Sequence, residues 1–186
     1  MARIVLITGG CRSGKSAHAQ GQAESLAGPR LYVATCPVTD DEMRARIARH
    51  QEERRGRGWE SVEQPVALAE AIRNAGDAAV VLVDCLTLWI NNVMYEAEEQ
   101  GKEIGEDDVE GLCREVLAAC RRREGTIFFV TNEVGMGIVP DNAVSRRYRD
   151  LVGRCNQMMA EGADEVTLVA CGIPMTLKGE DDRVAS

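Results

Sequence analysis

Gly9-Gly10-Cys11-Arg12-Ser13-Gly14-Lys15-Ser16 satisfies the pattern G-x-x-x-x-G-K-[ST] at every fixed position. Ahead of it, Arg3-Ile4-Val5-Leu6-Ile7-Thr8 is a short apolar run of the kind that forms a buried strand. Behind it, Ala17 to Leu26 is compatible with a helix despite Gly21. In that setting the glycines let the backbone curl, so that successive N–H groups converge on phosphate oxygens at the positive end of a helix. Gly9, Gly10, Cys11, Arg12, Ser13 and Gly14 supply the cradle, Lys15 reaches the β- and γ-phosphates, and the Ser16 hydroxyl ligates Mg²⁺. A glycine-rich turn that matches by chance is the bland alternative, and the flanking strand and helix make it the weaker one. The stretch predicts a protein that binds a nucleoside triphosphate, ATP or GTP.

The rest of the composition fits. The 186 residues suffice for one α/β domain with a full core, here residues 1–178, followed by an acidic tail over 179–186 that reads as disordered. A net charge of -8 disfavours a nucleic-acid groove, since phosphate backbones are bound by basic surfaces. No apolar run has the length of a membrane span, and the N-terminus does not read as a signal peptide. The seven cysteines are odd in number, and none falls in a C-x-x-C pair. Disulfides and a zinc site are both disfavoured, and the expectation is a cytoplasmic protein.

Further along, Leu31-Tyr32-Val33-Ala34-Thr35 reads as a second strand and Thr39-Asp40-Asp41-Glu42 as a capping box. The helix it opens, about Asp40 to Arg55, carries Met43, Ile47, His50 and Arg54 on one stripe. Arg44, Arg46, Arg49, Arg54, Arg55 and Arg57 surround the imidazole. Such a cluster would hold a polyphosphate beside a histidine, but composition alone favours a solvated basic helix with an incidental histidine. Ala78 to Asp84 is the clearest buried strand. An apolar run ending in aspartate suits a second magnesium-holding motif, with a cap for the next helix as the alternative role of Asp84. Glu96 to Asp108 reads as a flexible surface excursion, and Asp141 as the cap of a long arginine-rich helix. Between them, the strand Thr126 to Thr131 ends in Asn132-Glu133-Val134-Gly135-Met136-Gly137-Ile138-Val139-Pro140, where open α/β sheets bind ligands.

Together, the phosphate loop, the Asp40–His50 helix, Val83-Asp84-Cys85-Leu86-Thr87 and the Asn132–Pro140 stretch carry a resemblance. Over residues 3 to 178 the sequence resembles the bifunctional adenosylcobinamide kinase / adenosylcobinamide-phosphate guanylyltransferase family, with Cys11 where the family more often has alanine. The resemblance implies a RecA-like P-loop NTPase fold, a mostly parallel sheet with flanking helices, and Mg²⁺ held by Ser16 and Asp84. It implies two reactions: phosphorylation of adenosylcobinamide by ATP or GTP, served by Lys15, then transfer of GMP from GTP to adenosylcobinamide phosphate through a guanylylated His50. His18, the other histidine, is expected to pack or face solvent. Nucleotide contacts are implied at Ala34, Thr35 and Cys36, at Gln51, Glu52, Glu53 and Arg54, and at Glu63 and Asp84. An assembly of identical chains, a trimer, is implied as well.

Other classes make different demands. A regulatory GTPase needs Asn-Lys-x-Asp, which Thr131-Asn132-Glu133-Val134 is not. A DNA-dependent ATPase wants basic loops. A single-function P-loop small-molecule kinase and a non-catalytic nucleotide sensor both keep the loop but have no use for His50.

Overall fold

The computed structural model describes residues 1–36, 52 and 54–179 of the chain. The expected capping box at 39–42, the helix it opens as far as Gln51 (with His50), Glu53 and the tail beyond Gly179 lie outside the described residues.

Within the described residues the chain runs β1 (Arg3–Thr8), α1 (Lys15–Ser25), β2 (Arg30–Ala34), β3 (Trp59–Glu63), α2 (Leu68–Arg73) and β4 (Val80–Asp84). It continues through α3 (Leu86–Glu99), α4 (Glu106–Arg121), β5 (Thr126–Val130), α5 (Ala143–Gly162), β6 (Glu165–Ala170) and β7 (Ile173–Lys178). The strands form one sheet in the order β3-β2-β4-β5-β1-β6-β7. All neighbours pair in parallel except β7, which returns antiparallel to β6. Strand β5 separates β1, which feeds the phosphate loop, from β4, which ends in Asp84. The fold is the expected α/β P-loop NTPase architecture, with the loop and Asp84 at the same carboxyl edge of the sheet.

The strand sequences explain why the sheet is buried on both sides. Ile4, Val5, Leu6 and Ile7 of β1 are all buried, and their side chains alternate between two cores. Ile4 and Leu6 join Val81, Val83, Ile127 and Phe129 under Leu68, Trp89, Val116 and Val152 of the helices α2 to α5. Val5 and Ile7 join Val80, Leu82, Phe128 and Val130 on the opposite face. There α1 packs through Ala19 and Ala23, one turn apart, whose small side chains let the helix lie close on the sheet. Each large aliphatic residue so buried contributes about 1.5–3 kcal/mol.

Two expectations are corrected. The span 96–108 is not one excursion: α3 continues to Glu99 and α4 begins at Glu106, leaving only the connection between them. Asp108 starts α4 by accepting the Gly105 N–H at 2.8 Å from the third helical position. The cap of α5 is Asn142, whose Oδ1 accepts from Ser145 N at 2.7 Å, and not Asp141. The arginines of α5 are largely engaged: Arg147 with Glu103 and the Ile104 carbonyl, Arg154 with Glu110, and Arg146 with the carbonyls of Pro140 and Asp141.

Candidate active site

The connection from β1 to α1 is shaped by close contact. A Cβ on Gly9 would stand 2.4 Å from the Val169 carbonyl oxygen and 2.6 Å from Ser13 Oγ, so only glycine fits there. Gly14 has φ +96° and ends the loop at the first turn of α1. The β6–β7 turn braces it, because Gly172 N donates to Ser13 O at 2.8 Å. Lys15 is only 8% exposed, and its Nζ donates to Gly10 O at 3.0 Å. A buried ammonium resting on a loop carbonyl is placed to exchange that partner for phosphate oxygens as they enter the loop. Ser13 Oγ is buried without a hydrogen-bond partner among the described residues.

A cleft of about 450 Å³ opens beside the loop. It brings Cys11, Arg12, Lys15 and Ser16 together with Ala34 and Cys36 at the end of β2, Arg54, Glu63 and Asp84. Other expected residues stand apart from its lining. Thr35 is fully buried below the floor. Glu52 is exposed and paired with Arg55, Oε2 to Nη1 at 3.0 Å. Half-buried His18 lies on α1, with a buried Nε2 that has no hydrogen-bond partner among the described residues. His50, Gln51 and Glu53 lie outside the described residues. The basic cluster divides: Arg54 is 6% exposed and lines the cleft, whereas Arg57 is exposed and pairs with Glu24 at 3.2 Å.

Asp84 does not cap α3. The N-cap position there is Cys85, with no side-chain cap, and Asp84 Oδ2 instead accepts the Tyr32 hydroxyl at 3.1 Å. Ser16 and Asp84 line the same cavity beside the loop, one hydroxyl and one carboxylate. That donor set fits Mg²⁺, which is held by one or two protein oxygens, substrate phosphates and waters and needs no cage of carboxylates.

The opposite wall consists of Thr87 and Leu88 of α3, Asn132, Glu133 and Val134 after β5, and Tyr148 of α5. A continuous hydrogen-bond network fixes it. Asn132 Nδ2 donates to Thr87 Oγ1 at 2.9 Å, Asn156 Nδ2 to Asn132 O at 3.1 Å, and Thr131 Oγ1 to Asn156 Oδ1 at 2.7 Å. Tyr148 completes it by donating to Thr87 O at 3.2 Å, and its burial pushes the phenol up to about 12. Burial, with the Asp84 charge adding to it, pushes the Cys85 thiol up to about 11. Cys85 and Tyr148 therefore stay protonated near neutral pH.

Comparison with known proteins decides the family. Residues 5–177 match the family model described as cobinamide kinase / cobinamide phosphate guanyltransferase. The chain belongs to that family. It is 39% identical over 185 residues to the bifunctional adenosylcobalamin biosynthesis protein CobU of Escherichia coli (strain K12), covering 94% of this chain and 99% of that relative. It is 42% identical over 177 residues to the protein CobP of Pseudomonas aeruginosa bearing the same description, covering 94% and 97%. CobU of Salmonella typhimurium is 39% identical over 186 residues, covering 94% and 99%. No helix among the described residues is long and apolar enough to cross a membrane.

Sequence reasoning had placed Asn132 and Glu133 where ligands bind but left them out of the site. It assigned no site role to Tyr32, Thr87 or Tyr148. Tyr32 reads as core within an apolar strand, and Tyr148 lies among arginines on a helix. Their part in the cleft arises from packing between distant segments, for which the local pattern carries no signal.

Proposed function

We propose that this chain carries out both reactions of its family: phosphorylation of adenosylcobinamide by ATP or GTP, then transfer of GMP from GTP to give adenosylcobinamide-GDP. The observation that supports this reading is the meeting of Lys15, Ser16 and Asp84 in one cleft with Arg54, four residues beyond His50.

In the first reaction the hydroxyl of the aminopropanol arm attacks the γ-phosphorus and the nucleoside diphosphate leaves. The loop N–H groups and Lys15 Nζ stabilise the charge that builds on the transferring group. Ser16 and Asp84 hold Mg²⁺, which when bound neutralises phosphate charge. In the second reaction a neutral imidazole nitrogen of His50 bonds to the α-phosphorus of GTP and pyrophosphate leaves. The phosphate of adenosylcobinamide phosphate then displaces the histidine and takes the GMP. Covalent catalysis splits an exchange between two bulky polyanions into two displacements. The enzyme acts in the cytoplasm as an assembly of identical chains, a trimer, and binds no nucleic acid.

The test is product analysis with adenosylcobinamide, GTP and Mg²⁺. Adenosylcobinamide-GDP with one pyrophosphate released per GMP transferred supports the reading. Accumulation of adenosylcobinamide phosphate alone would leave a single-function kinase.

A further inference from the structure

Four elements of the molecule meet on Tyr32. It lies within β2, paired with Leu82 of β4, and is 7% exposed. Its hydroxyl reaches the Oδ2 of Asp84 at 3.1 Å. Over its ring, 3.5 Å from the centroid, lies the guanidinium carbon of Arg54. Against it, centroids 6.2 Å apart and planes at 87°, stands the Trp59 ring, whose Nε1 donates to Glu24 Oε1 at 3.0 Å.

Each contact has a distinct physical basis. The phenol O–H is a donor and an ionised carboxylate can only accept, so the hydrogen bond runs from Tyr32 to Asp84. One oxygen of Asp84 is thereby fixed in direction. The ring face, electron-rich and desolvated, attracts the guanidinium. Arg54 itself is 6% exposed, and its buried Nε has no hydrogen-bond partner among the described residues, so the ring face of Tyr32 is its contact on this side.

We propose that Tyr32 is a positioning residue with two separable tasks: its hydroxyl orients Asp84 toward the magnesium of the bound nucleotide, and its ring anchors Arg54 at the wall of the cleft. The metal half rests on the function proposed above. A plain core role for Tyr32 needs only an apolar body of similar size, and phenylalanine would satisfy it completely.

The experiment compares Tyr32→Phe and Tyr32→Leu with the unaltered protein in three measurements. These are the Mg²⁺ dependence of binding of a fluorescent GTP analogue, the rate of tryptic cleavage after Arg54, and the thermal midpoint. Tyr32→Phe should raise the Mg²⁺ concentration for half-maximal binding by roughly tenfold or more, the usual loss when a residue supporting a metal ligand goes. Its cleavage rate and midpoint should stay at the unaltered values. Tyr32→Leu should show the same Mg²⁺ shift and, in addition, faster cleavage at Arg54 than at the other arginines of the chain. An unchanged Mg²⁺ dependence in Tyr32→Phe overturns the hydroxyl's task. Equal cleavage rates in the two variants overturn the ring's task. Neither readout requires turnover, so an unaltered protein that binds Mg²⁺–GTP without transferring GMP would refute the guanylyl-transfer reading and still decide both tasks.

Discussion

Thr35 and Cys85 exchange two hydrogen bonds: Thr35 Oγ1 donates to the Cys85 carbonyl and accepts from the Cys85 amide, both at 2.7 Å. One hydroxyl thus satisfies both backbone groups of the residue that follows Asp84, and ties the end of β2 to the end of β4. Asn92 Nδ2 secures the other side by donating to Thr35 O at 2.7 Å.

Thr35→Val keeps the shape and removes the hydroxyl. The buried Cys85 amide then loses its partner, at about 1–3 kcal/mol, while the Cys85 carbonyl keeps the Trp89 N–H at 3.1 Å. Urea denaturation should show the loss, and the kinase rate should fall with it as Asp84 shifts. Thr35→Ser should restore most of both. Full stability in the valine variant would contradict the role given to the hydroxyl.

Lys15→Ala removes the buried ammonium beside Gly10. Phosphorylation of adenosylcobinamide should slow roughly a hundredfold or more, the usual loss for one electrostatic contact to the transition state. Steady-state rates check this, and near-normal turnover would remove the loop from the reaction.

The cysteines should separate sharply by reactivity. Cys11 and Cys171 are exposed, whereas Cys85 is buried and its thiol lies at about 11. At pH 7.5 a neutral maleimide (about that pH keeps most ordinary thiols protonated, too) should label Cys11 and Cys171 first and leave Cys85 intact, and GTP should protect Cys11 in the cleft. Peptide mass spectrometry reads the order, and early labelling of Cys85 would contradict it. The same shift has a sign for stability. Burial holds Cys85 at about 11 and Cys120 at about 12, above the ordinary thiol value of 9.0. The unfolded chain releases these protons first, so stability present below that value is lost as pH rises through the folded-state values.

Asn142→Ala should cost about 1 kcal/mol, since the amide caps α5 at Ser145 N. Asp141→Ala, one residue earlier, should cost little. Equal losses in the two variants would restore Asp141 as the cap.

The contrast between 141 and 142 illustrates what was legible in the sequence. Both residues are good caps, and only backbone geometry chooses between them. The phosphate loop and β4 were readable because a turn needing glycine, and a strand buried on both faces, constrain consecutive residues. Even so, β4 starts at Val80 and not Ala78, since Ala78 N closes a turn onto Ala75 O. Helix α2 starts only at Leu68, because the Gln64 side chain takes the amides of Val66 and Ala67 ahead of it. Asp84 was legible as a functional carboxylate, but its hydrogen bond from Tyr32 joins residues 52 positions apart. Strand order and the Thr87–Asn132–Asn156 network are likewise long-range, and no local pattern encodes them.

The central claim concerns His50, and the measurement that tests it most directly uses GTP labelled at the α-phosphate. The protein should acquire a covalent label stable to base and labile to acid, as a phosphoramidate is, because protonating the nitrogen makes imidazole a good leaving group. His50→Ala should abolish the label and GMP transfer while keeping substantial kinase activity, and His18→Ala should keep the label. A label that persists in the His50 variant, or disappears only in the His18 variant, would contradict the account.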